Sequence, residues 1–297
     1  MSEPLIDAHA HFLHEGCGRS DWRDVNAARL RAGERMGITC HVASILGSFG
    51  FHSPTYFPSP DDVTVGNDAM LALCRKHGPL VRMLVTVNPN HPAHARREIE
   101  RCVEKGAVGI KLAASRRADD PLLDSICGLA FKHGLPILHH VWQHRRRDWP
   151  NQEISDGADL AVLARRHPKV TLILAHIGGG GDYLHSFAAV RDVPNIVADV
   201  SGSGVDRGML DAAVVSLGSQ RLLWGSDITM ETGLAKLRAL EHTGLSSSDD
   251  IKDIRWRNAA RVFGPSVASG SRKATKTLGR TPHAAPRHRP PHPGKLK

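Results

Sequence analysis

Ile6-Asp7-Ala8-His9-Ala10-His11-Phe12 reads as a largely apolar strand whose end carries His-x-His. Side chains on a strand alternate faces, so His9 and His11 project the same way, two positions apart. That spacing lets two imidazoles grip one cation. Taken alone it also fits two ordinary polar residues at a strand end. The balance shifts because the other candidate ligands also stand at the ends of apolar runs. Leu135-Pro136-Ile137-Leu138-His139-His140 ends in a histidine pair, Leu172-Ile173-Leu174-Ala175-His176 in one histidine, and Leu222-Leu223-Trp224-Gly225-Ser226-Asp227 in a carboxylate. In a parallel barrel these ends converge on one rim, where enzymes of that fold keep their active sites.

The rest of the chain supports a barrel. Short apolar runs at 5–11, 39–45, 81–87, 108–112, 136–141, 171–176, 195–200 and 221–225 suit parallel strands buried on both faces. Stretches with near-helical apolar spacing alternate with them: 26–36, 62–76, 92–105, 121–133, 156–167, 206–217, 231–240 and 248–263, with 183–190 the weakest. Gly37, Gly78, Gly106 and Gly134 stand where a helix C-terminus wants glycine. Eight strand-then-helix units predict an α/β fold, a (β/α)8 TIM barrel, as one domain over residues 1–264. Residues 265–297 lose all periodicity and read as a disordered, basic, Pro-rich tail.

The net charge of +9 suggests a nucleic-acid binder until it is divided along the chain. Eight of the 39 Lys and Arg, and no Asp or Glu, fall in 265–297, which leaves 31 basic against 30 acidic residues in the barrel. The tail has no aromatic residue for base stacking, so no specific nucleic-acid partner is expected. Five scattered cysteines without a Cys-x-x-Cys pair argue against a zinc knot or disulfide framework. No apolar run approaches the roughly 18 residues of a membrane span, and the short acidic start leaves no room for a signal peptide. A soluble cytoplasmic protein without a membrane partner is the simplest expectation, with homo-oligomerisation left open.

Together the motifs resemble the amidohydrolase superfamily, specifically its amidohydrolase-related (amidohydrolase 2) branch. The resemblance spans residues 4–264. It rests on Asp7-Ala8-His9-Ala10-His11, Gly109-Ile110-Lys111-Leu112, Gly134-Leu135-Pro136 with His140, Ala175-His176-Ile177-Gly178-Gly179, Gly225-Ser226-Asp227 and Asn258-Ala259-Ala260-Arg261-Val262-Phe263-Gly264. It implies a distorted TIM barrel with one divalent metal, zinc first and manganese second. The branch contains hydrolases, lactonases and non-oxidative decarboxylases. Position by position it implies His9, His11, His140 and Asp227 as metal ligands, and His176 as the residue that orients or activates metal-bound water. The chemistry is coherent: a divalent metal lowers the pKa of bound water toward about 7. Asp227 could take that proton and deliver it to a leaving group. His176 could donate a hydrogen bond to developing charge on the substrate.

Neighbouring residues carry rival readings. Only one of His139 and His140 can face the mouth, and the family register favours His140. Lys111 fits a carbamylated metal bridge, a cation for an acidic substrate, or a structural ion-pair partner; a place near the substrate is favoured. Arg145, in the run Trp142-Gln143-His144-Arg145-Arg146-Arg147-Asp148-Trp149, could hold a substrate carboxylate by two hydrogen bonds, against the plainer reading of a solvated loop. Ser201 lies at the right rim to touch substrate. Gly178 to Gly181 lack a phosphate-loop pattern and read as a turn. The leading expectation is a hydrolase of a small carboxylic ester, lactone or amide acting on an anionic substrate. The alternative is a decarboxylase of an unsaturated or aromatic acid, and a third reading is a catalytically silent binding protein. A DNase of the TatD type would carry a Gly-Glu ligand motif on a mid-barrel strand, but the one such pair, Gly33-Glu34, lies in a predicted helix.

Overall fold

The apolar runs pair in chain order as eight parallel strands: β1 Ile6–His11, β2 Cys40–Ser44, β3 Val81–Val87, β4 Gly109–Leu112, β5 Ile137–His139, β6 Leu172–Leu174, β7 Ile196–Asp199 and β8 Leu222–Leu223. The computed structural model describes residues 3–45, 53–142, 151–178, 183–202, 204, 208–242 and 247–268. The sheet curls until its ends meet. The Ala8 N–H donates to the Trp224 carbonyl (2.9 Å) and the Asp227 N–H to the His9 carbonyl (2.7 Å). These bonds join the first strand to the exit of the last, so the edge groups of β1 find partners.

Helices alternate with the strands: α1 Trp22–Met36, α2 Pro60–His77, α3 Pro92–Glu104, α4 Asp124–His133, α5 Gly157–Arg166, α6 Tyr183–Val190, α7 Met209–Leu217 and α8 Met230–Glu241. Gly37 and Gly134 close α1 and α4 in the left-handed conformation, at φ 82° and 64°. The expected last helix at 248–263 is interrupted. It consists of Ser248–Lys252, a π-helical turn Asp253–Arg257 and Asn258–Phe263. The wider turn presents the Ile254 carbonyl to the Trp224 N–H (3.1 Å), which ties the final segment to the end of β8. Among the described residues no helix is long and apolar enough to cross a membrane.

The strands sort their side chains into two cores. Ala43, Val85, Ile110, Leu112, Ile137, Leu172, Leu174 and Ile196 pack with the helices. Ile6, Ala8, Val42, Leu84, Leu138, Ile173, Val197 and Leu223 form an inner cluster, sealed at one end by Ala259, Phe263 and Val267. β1 breaks strict alternation. Its register against β2 shifts between Asp7 and Ala10, a bulge of one extra residue. Ile6 and Ala8 therefore face inward, and beyond the bulge His9 and His11 do so as well.

The packed chain passes the boundary expected at residue 264. Pro265–Val267 forms a 3-10 turn and Val267 is wholly buried. Residues 269–297, the bulk of the expected tail, lie outside the described residues. A chain ending at Gly264 should be less stable than one ending at Ala268 by roughly 1.5–3 kcal/mol, the worth of burying a side chain of valine's size. Urea unfolding of both truncations checks this; equal midpoints would mean that Val267 seals nothing.

Candidate metal centre

The strand tips from distant parts of the chain do meet. His9 Nε2 lies 3.1 Å from His11 Nε2 and 3.8 Å from Asp227 Oδ1, and His11 Nε2 is 3.4 Å from that same oxygen. The other oxygen, Asp227 Oδ2, lies 3.6 Å from His176 Nδ1. One ligand atom each from His9, His176 and Asp227 also fall within 4.8 Å of one another, a grouping able to hold a metal ion. His140 joins through His176, with Nδ1 3.2 Å from His176 Nε2. Asp227 thus stands between the β1 histidines and His176, with one oxygen toward each.

The protonation pattern suits a cation. His11 Nδ1 is 3.2 Å from the Ser44 carbonyl, which only a protonated Nδ1 can satisfy. His9 Nδ1 is 3.0 Å from Asp199 Oδ2. With both Nδ1 atoms donating, the two Nε2 lone pairs face each other across 3.1 Å beside a carboxylate. Burial pushes His11 down to about 4 and His176 to about 3, so both are neutral near pH 7. Burial opposes ionisation of Asp227, but the imidazoles packed around it, His176 first and then His11 and His9, outweigh it and hold the carboxyl well below its usual range. Neutral imidazoles around an ionised carboxylate are the forms that bind divalent metal.

Lys111, on β4, is wholly buried with Nζ 3.1 Å from His9 Nε2. Burial pushes its ammonium down to about 8, against the pull of Asp227 and Asp199. Ser201 turns its hydroxyl to the imidazoles, 3.0 Å from His9 Nδ1 and 3.2 Å from His176 Nδ1. Arg145 lies outside the described residues, as do Gly179 to Gly181. His139 faces away from the mouth, its Nδ1 2.9 Å from the His140 carbonyl.

Sequence reading missed three residues here. Asp199 ends β7, and its Oδ1 accepts from the Ser201 N–H (2.8 Å) while Oδ2 meets His9. An apolar run closing on a buried carboxylate, Ile196-Val197-Ala198-Asp199, was the signal for it. Tyr56, from the loop before α2, stands with its ring 5.3 Å from the ring of His140. Its carbonyl accepts from the Ser115 hydroxyl, which pins the loop to the rim. Nothing in the local pattern marks it. Arg29, on α1, reaches the carbonyl of Asp227.

Backbone strain concentrates here. Asp227 sits at φ 56°, His176 at 62° and Ile177 at 48°, three of the four non-glycine residues at positive φ among those described. Such conformations cost on the order of 1–3 kcal/mol each and persist only where surrounding contacts enforce them.

A parallel barrel with neutral imidazoles and a carboxylate at its C-terminal rim defines a metal-dependent enzyme class. The amidohydrolase family profile (Amidohydro_2) matches residues 6–264, and the chain belongs to that family. No curated protein matches it in sequence. Its fold is similar to that of 2,6-dihydroxybenzoate decarboxylase in complex with 2,6-dihydroxybenzoate, at TM-score 0.67 and 17% identity over 89% of this chain and 98% of the other. The 5-carboxyvanillate decarboxylase of Sphingomonas paucimobilis superposes with TM-score 0.65 and 19% identity, covering 88% and 99%. A dihydroxybenzoic acid decarboxylase from Polaromonas sp. JS666, holding manganese and the inhibitor 2-nitroresorcinol, gives 0.65 and 19%, covering 88% and 97%.

Asp199→Asn should weaken metal uptake roughly 10- to 100-fold, the usual effect of removing a carboxylate that orients a ligating histidine. Titration calorimetry of the metal-free protein reads it, and an unchanged affinity would remove Asp199 from the centre. A second expectation concerns acid. Burial pushes His139 down to about 4, whereas an unfolded histidine titrates near 6.5, so protons favour the unfolded chain between those values. Stability of the metal-free protein is full above the upper value and falls as pH drops toward the lower one. His139→Asn should lose less stability than the parent between pH 7 and pH 5 in urea titrations.

Proposed function

We propose that this chain is a metal-dependent, non-oxidative decarboxylase of a small aromatic or unsaturated acid. The observation that carries this reading is the aromatic wall beside the candidate centre. Trp142 lies parallel to His140, at 5° and 6.3 Å between ring centroids, and nearly perpendicular to His176 at 6.4 Å. Tyr56 completes the wall beside His140. A planar acid entering this mouth meets ring faces and edges, which favour aromatic partners by about 0.5–1.5 kcal/mol per pair beyond burial. The decarboxylases that share the fold act, by their names, on acids of that shape.

His9 and Asp227 would hold one divalent cation with His11 and His140, the set expected from sequence, and His176 stands close enough to share in it. That ion would supply Lewis-acid chemistry, binding the substrate's acidic oxygens and stabilising negative charge. Manganese is the ion to test before zinc, since the Polaromonas enzyme holds it. Lys111 and the centre together supply positive charge for an anionic substrate. Asp227 is ionised at rest, so it enters the cycle as a proton acceptor. When the carbon–carboxylate bond breaks, carbon dioxide leaves and the electron pair stays on the substrate carbon. Asp227 gives that carbon the proton it accepted from an acidic hydroxyl of the bound substrate, while His176, neutral and adjacent, steadies the carboxyl in its protonated form.

Hydrolysis of an ester, lactone or amide, the leading expectation from sequence, would use the same residues. One assay separates the two. Protein loaded with manganese should release carbon dioxide from monocyclic hydroxybenzoic acids. Asp227→Asn should cut that rate roughly 100- to 10,000-fold, the range for loss of a general acid–base. Ring opening of lactones without carbon dioxide release would overturn the decarboxylase reading.

A further inference from the structure

We propose that Arg29 is a positioning residue that holds Asp227 in its working conformation, and that Asp7 of the Asp-x-His-x-His motif is its counter-charge. This rests on the reading of Asp227 as a metal ligand. Asp227 is in the left-handed region, φ 56°, where a residue with a side chain relaxes unless held. Its N–H is held by the His9 carbonyl (2.7 Å), and the contacts to the carbonyl side come from one guanidinium. Arg29 NH1 donates to the Ser226 hydroxyl (2.8 Å), and NH2 donates to the carbonyls of Asp227 and, at 2.6 Å, Ile228. Three consecutive residues of the β8 exit are thereby fixed to a helix nearly 200 positions away in sequence.

The guanidinium is itself confined. It lies over the Phe12 ring at 5.9 Å, 3.5 Å from the Met230 sulfur, and is only 6% exposed. Its charge faces Asp7 Oδ2 at 3.7 Å. Asp7 is saturated by this neighbourhood: it accepts from the Ser226 N–H (2.9 Å), the Ser226 hydroxyl (2.6 Å) and His41 Nδ1 (2.9 Å). Asp7 and His9 belong to the same strand. The motif's carboxylate therefore secures the last strand's exit from behind, while its two histidines face the centre from the front.

A planar fork spans three acceptors, whereas an ammonium is a point charge. Arg29→Lys keeps the charge opposite Asp7 and loses the span, which makes it the informative variant. Two measurements test it. In metal-free protein, hydrogen exchange should quicken at the amides of Ser226 to Ile228 and stay unchanged across β3 to β5. In titrations with manganese, affinity should fall roughly 10-fold or more, as for other residues that orient a ligand. In an Asp227→Asn background the same substitution should change affinity no further, because its effect passes through that carboxylate. Parental manganese affinity in Arg29→Lys would overturn the proposal. So would equal losses of Tm with and without manganese at constant affinity, the mark of a merely structural role. A parent chain that takes up no divalent cation would overturn the metal reading itself, and is seen before any variant is compared.

Discussion

The organising constraint is a set of unshared electron pairs crowded into a buried space. The Nδ1 atoms of His9 and His11 are engaged by Asp199 and Ser44, so their Nε2 lone pairs point at one another across 3.1 Å with the Asp227 carboxylate alongside. Lone pairs and negative charge do not attract each other. A cation among them turns a costly cluster into a stable one, and the Lys111 ammonium, 3.1 Å from His9 Nε2, supplies some of that positive charge within the chain. Burial serves the same end by keeping the imidazoles of His11 and His176 neutral and free to ligate.

This crowding explains where the strain lies. Strand geometry alone points side chains inward or outward, but a common focus needs finer aim than alternation gives. β1 uses a bulge to turn both histidines inward, and the segments leaving β6 and β8 carry left-handed residues that swing His176 and Asp227 over the mouth. Gly202 and Gly225 leave room for this, since a Cβ on Gly202 would come within 2.9 Å of the His176 Cβ, and one on Gly225 within 3.0 Å of the His9 Cβ. The outer network of Arg29, Asp7, Ser226 and Asp199 keeps these unfavourable conformations in place. The barrel supplies rigidity, and its rim departs from regularity where chemistry needs it.

A centre of this kind would suit hydrolysis and decarboxylation equally, because both demand electrophilic stabilisation of an acidic group and a carboxylate that shuttles a proton. What differs is the shape and character of the wall that selects the substrate. Tyr56 and Trp142 come from loops after different strands, and their rings flank His140. That wall, rather than the ligand set, is where specificity within this family has room to vary.

The strands, nearly all the helices and the strand ends whose side chains converge were legible from the chain alone. Apolar runs that end in His-x-His, His140, His176 and Asp227 report burial and strand direction through local pattern, and a parallel barrel has one rim where such ends can gather. The break at Asp253–Arg257 was not legible, because it answers the unpaired N–H of Trp224 far away in sequence. Nor were the partners of the ligands. Asp199 behind His9, Arg29 behind Asp227 and Tyr56 beside His140 each act across long separations, by hydrogen bonds or ring contacts that leave no periodic trace. Local sequence determined which side chains could bind an ion. Closure of the barrel decided which of them meet, because only three-dimensional packing brings residue 9 within 3.8 Å of residue 227.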